Sequence, residues 1–194
     1  MTWQTVSLAD VPPSPWKNGG GVTRELVAWP SASHWLWRMS VAAVESSGPF
    51  SRFEGVQRWF VVLSGAGVRL EIGDEAGLAA QADTRSLTCA SAPLSFAGEL
   101  PVQCTLLDGP TQDFNLMLRS KTATARMRRL QGEFTVTADT TKIIAIYAQS
   151  TWARVLFCHE QMDVPPNTLA WRHCAAGATL QVTAAQALWM EITP

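Results

Sequence analysis

Hydrophobic and polar residues alternate through most of the chain, and this pattern restricts the fold more than any other feature. In the segment DFNLMLR, Phe114, Leu116 and Leu118 share one face. Asp113 and Asn115 share the other. The segments GVRLEIG, EFTVTA, TLQVTA and LWMEIT repeat the pattern. Because successive side chains of a β-strand point to opposite faces, the alternation predicts strands with one buried face.

Turn-forming residues separate these segments at short intervals. They occur at Ser47-Gly48-Pro49, Ser64-Gly65, Gly73-Asp74, Asp108-Gly109-Pro110, Pro165-Pro166-Asn167 and Ala176-Gly177. Many short strands joined by frequent turns predict an all-β sandwich or barrel. Two stretches of similar meandering pattern, 22–108 and 113–193, predict one compact body with two sheet systems. The best helical candidate is one or two turns within 122–130.

The composition excludes several classes of protein. With 194 residues, 47% of them hydrophobic, the chain can form one large domain or two small halves that share a core. A net charge of -1 with 16% charged residues gives no basic face, so no nucleic-acid partner is expected. No apolar run approaches the roughly 20 residues of a membrane span, and the first residues lack the pattern of a signal peptide. We therefore expect no membrane partner and a cytoplasmic location.

The stretch PWKNGGGVTREL, at 15–26, contains three consecutive glycines. A phosphate-binding loop needs its Lys after the last Gly, whereas Lys17 precedes the glycines and a strand-like pattern follows them. The G-x-G-x-x-G fingerprint of dinucleotide sites is also missing. The glycines predict a tight turn that needs positive φ, at Gly20 for example, or a close backbone approach. The turn is either purely structural or borders a ligand, with Trp16, Lys17 and Asn18 at the mouth of a barrel.

The residues that usually hold metals or act as nucleophiles do not cluster in the sequence. His34, His159 and His173 are far apart and form no H-x-H or H-E-x-x-H pattern. The four cysteines form no C-x-x-C pair, and no G-x-S-x-G elbow is present. We therefore predict no metal, no cofactor and no recognisable catalytic triad.

Polar residues on the predicted strands supply the candidate ligand site. Such a face points either to water or into a barrel, where a few polar groups fix a small ligand. Arg38 and Arg58 have large apolar neighbours, and an Arg can hold a carboxylate through two parallel hydrogen bonds. Trp37 and Trp59 are further candidates for apolar walls. The predicted ligand-binding residues are Trp16, Asn18, Arg24, Glu25, Arg38, Ser40, Phe50, Arg58, Asp113 and Asn115.

Six segments together resemble the HutD/Ves family of bacterial proteins. They are WKNGGGVTREL, WRMSVA, GPFSRFEGVQRWFVVLSG, SFAG, CTLLDG and DFNLMLR, in that order. The resemblance implies a cupin-like fold, an RmlC-like jelly roll, with two β-barrel halves in one chain. This bicupin would be a single compact body over 1–194, with its first half at 15–112 and its second at 113–194.

The resemblance also bears on chemistry. Cupin enzymes commonly hold a metal through the motif G(x)5HxH(x)3-4E(x)6G. The matching region here keeps the framing glycines, Gly48 and Gly65, but contains no His. The family is associated with histidine utilisation, which implies a small anionic metabolite as partner: urocanate, or a formylated or formimino glutamate derivative.

Three functions follow as expectations. We favour a non-catalytic protein that binds this metabolite and modulates histidine utilisation. The alternative is a metal-free isomerase or hydrolase, with Glu25, Glu54 or Asp113 as its acid or base. The third is a stress-related interaction module with a packed barrel. An exposed apolar strand edge would favour a homodimer.

Overall fold

The computed structural model describes residues 2–74, 82–119 and 123–194, and the regular secondary structure of these residues is β-strand apart from one short 3-10 turn. The strands before residue 75 are β1 (Gln4–Ser7), β2 (Ser14–Pro15), β3 (Gly21–Trp29), β4 (Trp37–Val44), β5 (Gly48–Pro49), β6 (Val56–Ser64) and β7 (Val68–Ile72). The later strands are β8 (Asp83–Leu87), β9 (Leu94–Ala97), β10 (Val102–Leu106), β11 (Thr111–Arg119), β12 (Thr124–Thr137), β13 (Lys142–Ala148), β14 (Ala153–Phe157), β15 (Glu160–Val164), β16 (Thr168–Cys174) and β17 (Thr179–Thr193). A single 3-10 turn, Leu8–Asp10, is the only helical element among the described residues.

The chain divides into two compact units. The first unit is Pro12–Lys121, and the second combines Met1–Val11 with Thr122–Pro194. The predicted division between residues 112 and 113 falls inside β11. Because β11 pairs with both β4 and β6, it lies in the middle of a sheet of the first unit. At the other end of the chain, β1 pairs with β16 and so joins the second unit.

The first unit contains two antiparallel sheets. One has the order β2-β3-β4-β11-β6-β9 and the other the order β5-β10-β7-β8. Phe60 and Phe96 from the larger sheet and Leu70, Val102 and Cys104 from the smaller one belong to a single buried cluster. The apolar core of the first unit therefore involves residues of both sheets.

The second unit has one sheet of order β1-β16-β13-β17-β14-β15, with β12 also paired to β17. Its core is apolar and includes Ile144, Ile146, Leu180 and Trp189, all with 1% exposure or less. Each sheet, in both units, runs from one edge strand to another across the described residues.

The helix predicted within 122–130 is wrong where the structure describes it. Residue 122 lies outside the described residues, and 124–130 belong to β12. This strand pairs with β17 from Thr124 opposite Thr193 to Thr137 opposite Thr179. Pairing over that length satisfies the backbone groups of β12 through a distant segment, which overrides a weak local helical preference.

The prediction of an all-β chain is confirmed. None of the described residues belongs to a helix with the length and apolar character needed to cross a membrane.

Candidate functional site

The first unit contains a cavity of about 420 Å³. This volume is within the range of sites that hold small molecules. Residues from β3, β4, β6 and β11 line it, together with the segment that follows β5. Eight of the ten predicted ligand-binding residues contribute to this lining: Trp16, Asn18, Arg38, Ser40, Phe50, Arg58, Asp113 and Asn115.

Strand pairing explains why the polar residues meet at the cavity. In the ladder of β4 and β11, Asn115 lies opposite Ser40 and Met117 opposite Arg38. Met117 also lies opposite Arg58 in the ladder of β6 and β11. Directly opposed residues of an antiparallel pair point to the same face of the sheet. The polar faces predicted for these strands therefore turn toward the cavity rather than toward water.

Arg58 is the most enclosed basic residue of the lining, with 5% exposure. Its guanidinium lies 5.2 Å from the ring centroids of Phe50 and Phe96 and 5.7 Å from that of Phe53. Its Nη2 donates a hydrogen bond of 3.0 Å to Asn115 Oδ1. Its buried Nε has no hydrogen-bond partner.

The charge of Arg58 persists in this environment. Burial lowers the pKa of Arg58 to about 10, Asp113 opposes that change, and Arg38 adds to it. The guanidinium therefore stays protonated at neutral pH. Aromatic faces attract a cation but cannot accept its N–H groups as a carboxylate does, so the residue keeps hydrogen-bonding capacity.

Asp113 is 1% exposed and also lines the cavity. Its Oδ1 accepts a hydrogen bond of 2.5 Å from Asn115 Nδ2, while its buried Oδ2 has no partner. Burial raises the pKa of Asp113 to about 7, against the opposing effects of Arg58 and the hydrogen bond from Asn115. A carboxyl group of this kind exchanges its proton near physiological pH.

Arg38 links the cavity to the surface. Its guanidinium lies 5.5 Å from the ring centroid of Trp35 and 5.6 Å from that of Phe53. Its Nη1 is 3.5 Å from Glu25 Oε2, and its buried Nε has no hydrogen-bond partner. Burial lowers the pKa of Arg38, and Glu25 opposes this change. Arg38 thus adds a second cation beside Arg58.

The glycine stretch forms the turn between β2 and β3. Gly19 has a φ of +70°, a conformation that favours glycine. Gly20 has no positive φ, so the residue that needs this conformation is Gly19 and not Gly20. A Cβ atom on Gly21 would overlap the carbonyl oxygen of Ala43. The stretch therefore needs glycine for a positive φ at Gly19 and for a close backbone approach at Gly21.

The same turn borders the cavity. Trp16, Lys17 and Asn18 all contribute to the lining. Trp16 Nε1 donates a hydrogen bond of 2.7 Å to Thr23 Oγ1, and the Trp16 ring meets Phe50 edge-on at 6.4 Å between centroids. The structural and the cavity-bordering interpretations of this stretch are thus compatible.

Some predicted residues lie elsewhere. Arg24 and Glu25 are not part of the lining, although Glu25 pairs with Arg38. Trp37 stacks on Trp29 at 6.4 Å and, like Trp59, does not form a cavity wall. Lys17, expected at the barrel mouth, does line the cavity. Sequence reasoning missed six lining residues: Thr23, Ala42, Pro49, Ser51, Phe53 and Met117.

The missed residues differ in the signal that could have found them. Ala42 and Met117 continue the faces that begin with Ser40 and Asn115, so period two alone could have identified them. Ser51 and Phe53 lie in an irregular segment after β5, where no periodicity predicts side-chain direction. Among the described residues, no group of three or more His, Cys, Asp or Glu side chains could hold a metal ion.

Comparisons with known proteins identify the family. Residues 8–190 match the HutD family model. The chain is 34% identical over 149 residues to an uncharacterised 21.2 kDa protein from the hutC 3′ region of Pseudomonas putida, covering 76% of this chain and 74% of that protein. It is 30% identical over 184 residues to protein Ves of Cronobacter sakazakii, covering 94% of both.

Solved structures agree with this assignment. HutD from Pseudomonas fluorescens SBW25, determined in a formate condition, matches with a TM-score of 0.81 and 27% identity over 99% of this chain and 98% of that one. An oxalate decarboxylase from Lactobacillus farciminis matches at 0.67 with 8% identity over 97% and 85%, which shows a shared cupin-like fold. The predicted resemblance is thereby confirmed, and this chain belongs to the HutD family.

Proposed function

We propose that this protein binds a small carboxylate in the cavity of its first unit, without catalysis, and thereby modulates histidine utilisation in the cytoplasm. The main support is Arg58, a buried cation beside a cavity of about 420 Å³. Its guanidinium contacts aromatic faces and donates to two uncharged oxygens, Asn115 Oδ1 at 3.0 Å and the Ser51 carbonyl at 3.5 Å, and its Nε has no hydrogen-bond partner. A carboxylate would complete these interactions.

The chemistry of the lining favours an anion over a neutral ligand. Lys17, Arg38 and Arg58 contribute to it, against the single carboxyl group of Asp113. The planar guanidinium matches a carboxylate through two parallel hydrogen bonds. Phe50 and Phe53 provide apolar surface beside the cations, as suits a metabolite with a short hydrocarbon body.

The family suggests the ligand class. The P. putida relative is named for the hutC 3′ region, and the P. fluorescens structure is named HutD. We therefore propose urocanate, or a formylated or formimino glutamate derivative, as the ligand. Formate, which is named in the condition of the P. fluorescens structure, is the smallest carboxylate with which to probe the site.

We also propose that the two units are the halves of a bicupin. Each unit has its own sheets and its own buried cluster, and the match to the oxalate decarboxylase extends over 97% of the chain. A homodimer formed through a sheet edge belongs to the same proposal. Multi-angle light scattering would give its mass directly, and a monomer at micromolar concentration would exclude it.

Calorimetric titration with urocanate, N-formylglutamate and formate tests the binding function. We expect saturable binding of at least one of them, and loss of that binding in Arg58→Met, which keeps the apolar contacts of the side chain but removes its charge. Arg154→Met is the matched control, because Arg154 pairs with Asp163 on the surface of the second unit. The proposal is refuted if a folded sample binds none of the probes at about millimolar concentration, which is high enough to reveal weak affinity.

A metal-free enzyme is the second candidate function, and Asp113 favours it. Of the three predicted acid or base candidates, Asp113 lines the cavity, whereas Glu25 and Glu54 do not. Its pKa of about 7 suits proton transfer at neutral pH. Proton NMR of urocanate or N-formylglutamate incubated with the protein would reveal turnover, which Asp113→Asn should abolish.

The third expectation, a packed interaction module, has less support. It requires that the interior of the barrel be filled by side chains. The cavity in the first unit counts against that arrangement.

A further inference from the structure

The carboxyl group of Asp113 is buried without the partners that a charged group needs. Its Oδ2 has no hydrogen-bond partner, and no ion pair joins it to Arg58 among the described residues. Asn115 connects the two side chains instead, since it accepts from Arg58 and donates to Asp113 Oδ1. Burying an unpaired charge is costly, so this geometry favours the neutral acid.

Three neighbouring groups with shifted pKa values, Arg58, Arg38 and Cys104, keep their protonation states around neutral pH. Arg58 on β6 and Arg38 on β4 are cations. Cys104 on β10 is buried, and burial together with Asp113 raises the pKa of its thiol to about 12. Lys17 contributes the remaining ionisable side chain of the lining. Asp113 is therefore the group placed to gain or lose a proton when a ligand enters.

We propose that an anion enters this cavity together with a proton from solvent, which Asp113 Oδ2 takes up and then donates as a hydrogen bond to an oxygen of the anion. This inference rests on the proposed function and adds its proton stoichiometry. Oδ2 is the atom that lacks a partner, so the new O–H group has a free direction in which to donate. A protonated carboxyl group in an apolar site can act as such a donor.

The charges around Asp113 determine whether it takes up or releases a proton when an anion binds. A second negative charge beside Asp113 disfavours its ionised form and so favours proton uptake. It also competes for the attraction of Arg58, which otherwise opposes the rise that burial causes in the pKa of Asp113. A ligand that presents an N–H donor would instead favour the ionised carboxylate and release a proton. The direction of proton transfer therefore identifies the chemical class of ligand that the cavity accepts beside Asp113.

The test is calorimetric titration of the wild-type protein with N-formylglutamate and with formate. Neither probe titrates between about pH 6 and pH 8, unlike the imidazole of urocanate. Measurements in two buffers with different ionisation enthalpies, HEPES and Tris near pH 8 and MES and Bis-Tris near pH 6, give the number of protons exchanged. We expect uptake approaching one proton per site at about pH 8 and little uptake near pH 6, and affinity should fall about tenfold per pH unit above pH 7.

Two variants identify the group that takes up the proton. Asp113→Asn should abolish the uptake and flatten the pH dependence of affinity. Glu71→Gln, which removes a carboxylate paired with Arg69 outside the lining, should retain both. If Asp113→Asn does not fold, the wild-type proton count and pH profile still decide whether uptake occurs, and Glu71→Gln shows whether removal of a carboxylate away from the cavity changes them.

The possible results separate the two proposals. Binding with no proton uptake, or with release, overturns this inference but leaves the binding function intact. Uptake that persists in Asp113→Asn overturns the assignment to Asp113. Absence of binding by all probes overturns the binding function and this inference with it.

Discussion

Arg58 in the first unit and Lys142 in the second are both buried cations, and their surroundings differ. Lys142, 6% exposed, bonds to Asp139 at 2.6 Å and to Glu191 at 2.8 Å. Arg58, 5% exposed, contacts three aromatic rings and donates to two uncharged oxygens, Asn115 Oδ1 at 3.0 Å and the Ser51 carbonyl at 3.5 Å. A buried charge with carboxylate partners belongs to the structure of its unit. A buried charge beside a cavity and short of acceptors can bind a ligand.

The carboxyl groups near these two cations differ in the same way. Burial raises the pKa of Glu191, but hydrogen bonds from Lys142 and Trp189 outweigh this effect and lower it. Asp113 lacks such partners on Oδ2, and burial leaves its pKa near 7. The ionised form of Glu191 thus stabilises the fold, whereas the ionised form of Asp113 destabilises it.

The largest effect should come from replacing Asp113 with Asn. The pKa of Asp113 is raised from 3.8 to about 7 on folding, so its contribution to stability is lost as the pH rises through this interval. Relative to Asp113→Asn, the wild type should lose about 4 kcal/mol of unfolding free energy between about pH 4 and pH 8. Urea unfolding followed by tryptophan fluorescence at each pH measures the difference.

Comparison of the wild type with Glu191→Gln should show the opposite dependence of stability on pH. Because the pKa of Glu191 is lowered on folding, its stabilisation is present above its ordinary value near 4.5 and is lost as the pH falls. The wild type should therefore gain stability relative to Glu191→Gln as the pH rises. Difference curves with the same slope for both variants would contradict the contrast between the units.

Replacing Lys142 with Met should produce the next largest effect. The substitution leaves Glu191 half enclosed and without its cation, and breaking a buried pair from one side costs about 3 kcal/mol. Asp139→Asn is the control, since Asp139 is exposed and should matter little. Thermal or urea unfolding at neutral pH measures both. Equal stability of Lys142→Met and the wild type would show that Lys142 is no more structural than Arg58.

Arg58→Lys should affect binding rather than stability. Lysine keeps the positive charge but loses the planar arrangement of donors, so affinity for the carboxylate probe should fall about 10–100-fold, or roughly 2 kcal/mol. Arg154→Lys, in the surface pair with Asp163, should bind as the wild type does. Titration calorimetry gives the affinities. Unchanged binding by Arg58→Lys would mean that charge alone, and not the guanidinium, recognises the anion.

The strands and most of the cavity residues could be predicted because both depend on local alternation. Period two places Asp113 and Asn115 on one face of β11 whatever the tertiary structure. It could not decide which way that face points. Phe114 and Leu116, on the opposite face, are buried as well, so the direction depends on packing between distant strands.

The wrong helix prediction has a non-local origin. The segment 124–130 has weak helical preference, but it pairs with the end of the chain, with Thr124 opposite Thr193. Strand partners far apart in sequence leave no periodic signal, so this pairing could not be predicted from the residues alone.

The smallest expected effect on stability concerns a hydrogen bond donated by a tryptophan Nε1. One such bond from each unit can be compared, because the two acceptors differ. In the second unit, Trp189 Nε1 donates to the charged Glu191 at 3.0 Å in the core. In the first, Trp16 Nε1 donates to the neutral Thr23 Oγ1 at 2.7 Å beside the cavity. Thr23→Val keeps the shape of the side chain and removes the acceptor, so it should cost about 1 kcal/mol in stability. It should also weaken probe binding a few-fold, because Trp16 lines the cavity.

A double-mutant cycle with Trp16→Phe isolates the hydrogen bond between Trp16 and Thr23. Non-additive losses would assign the effect to this bond. Additive losses would mean that the edge-on contact with Phe50 alone orients Trp16.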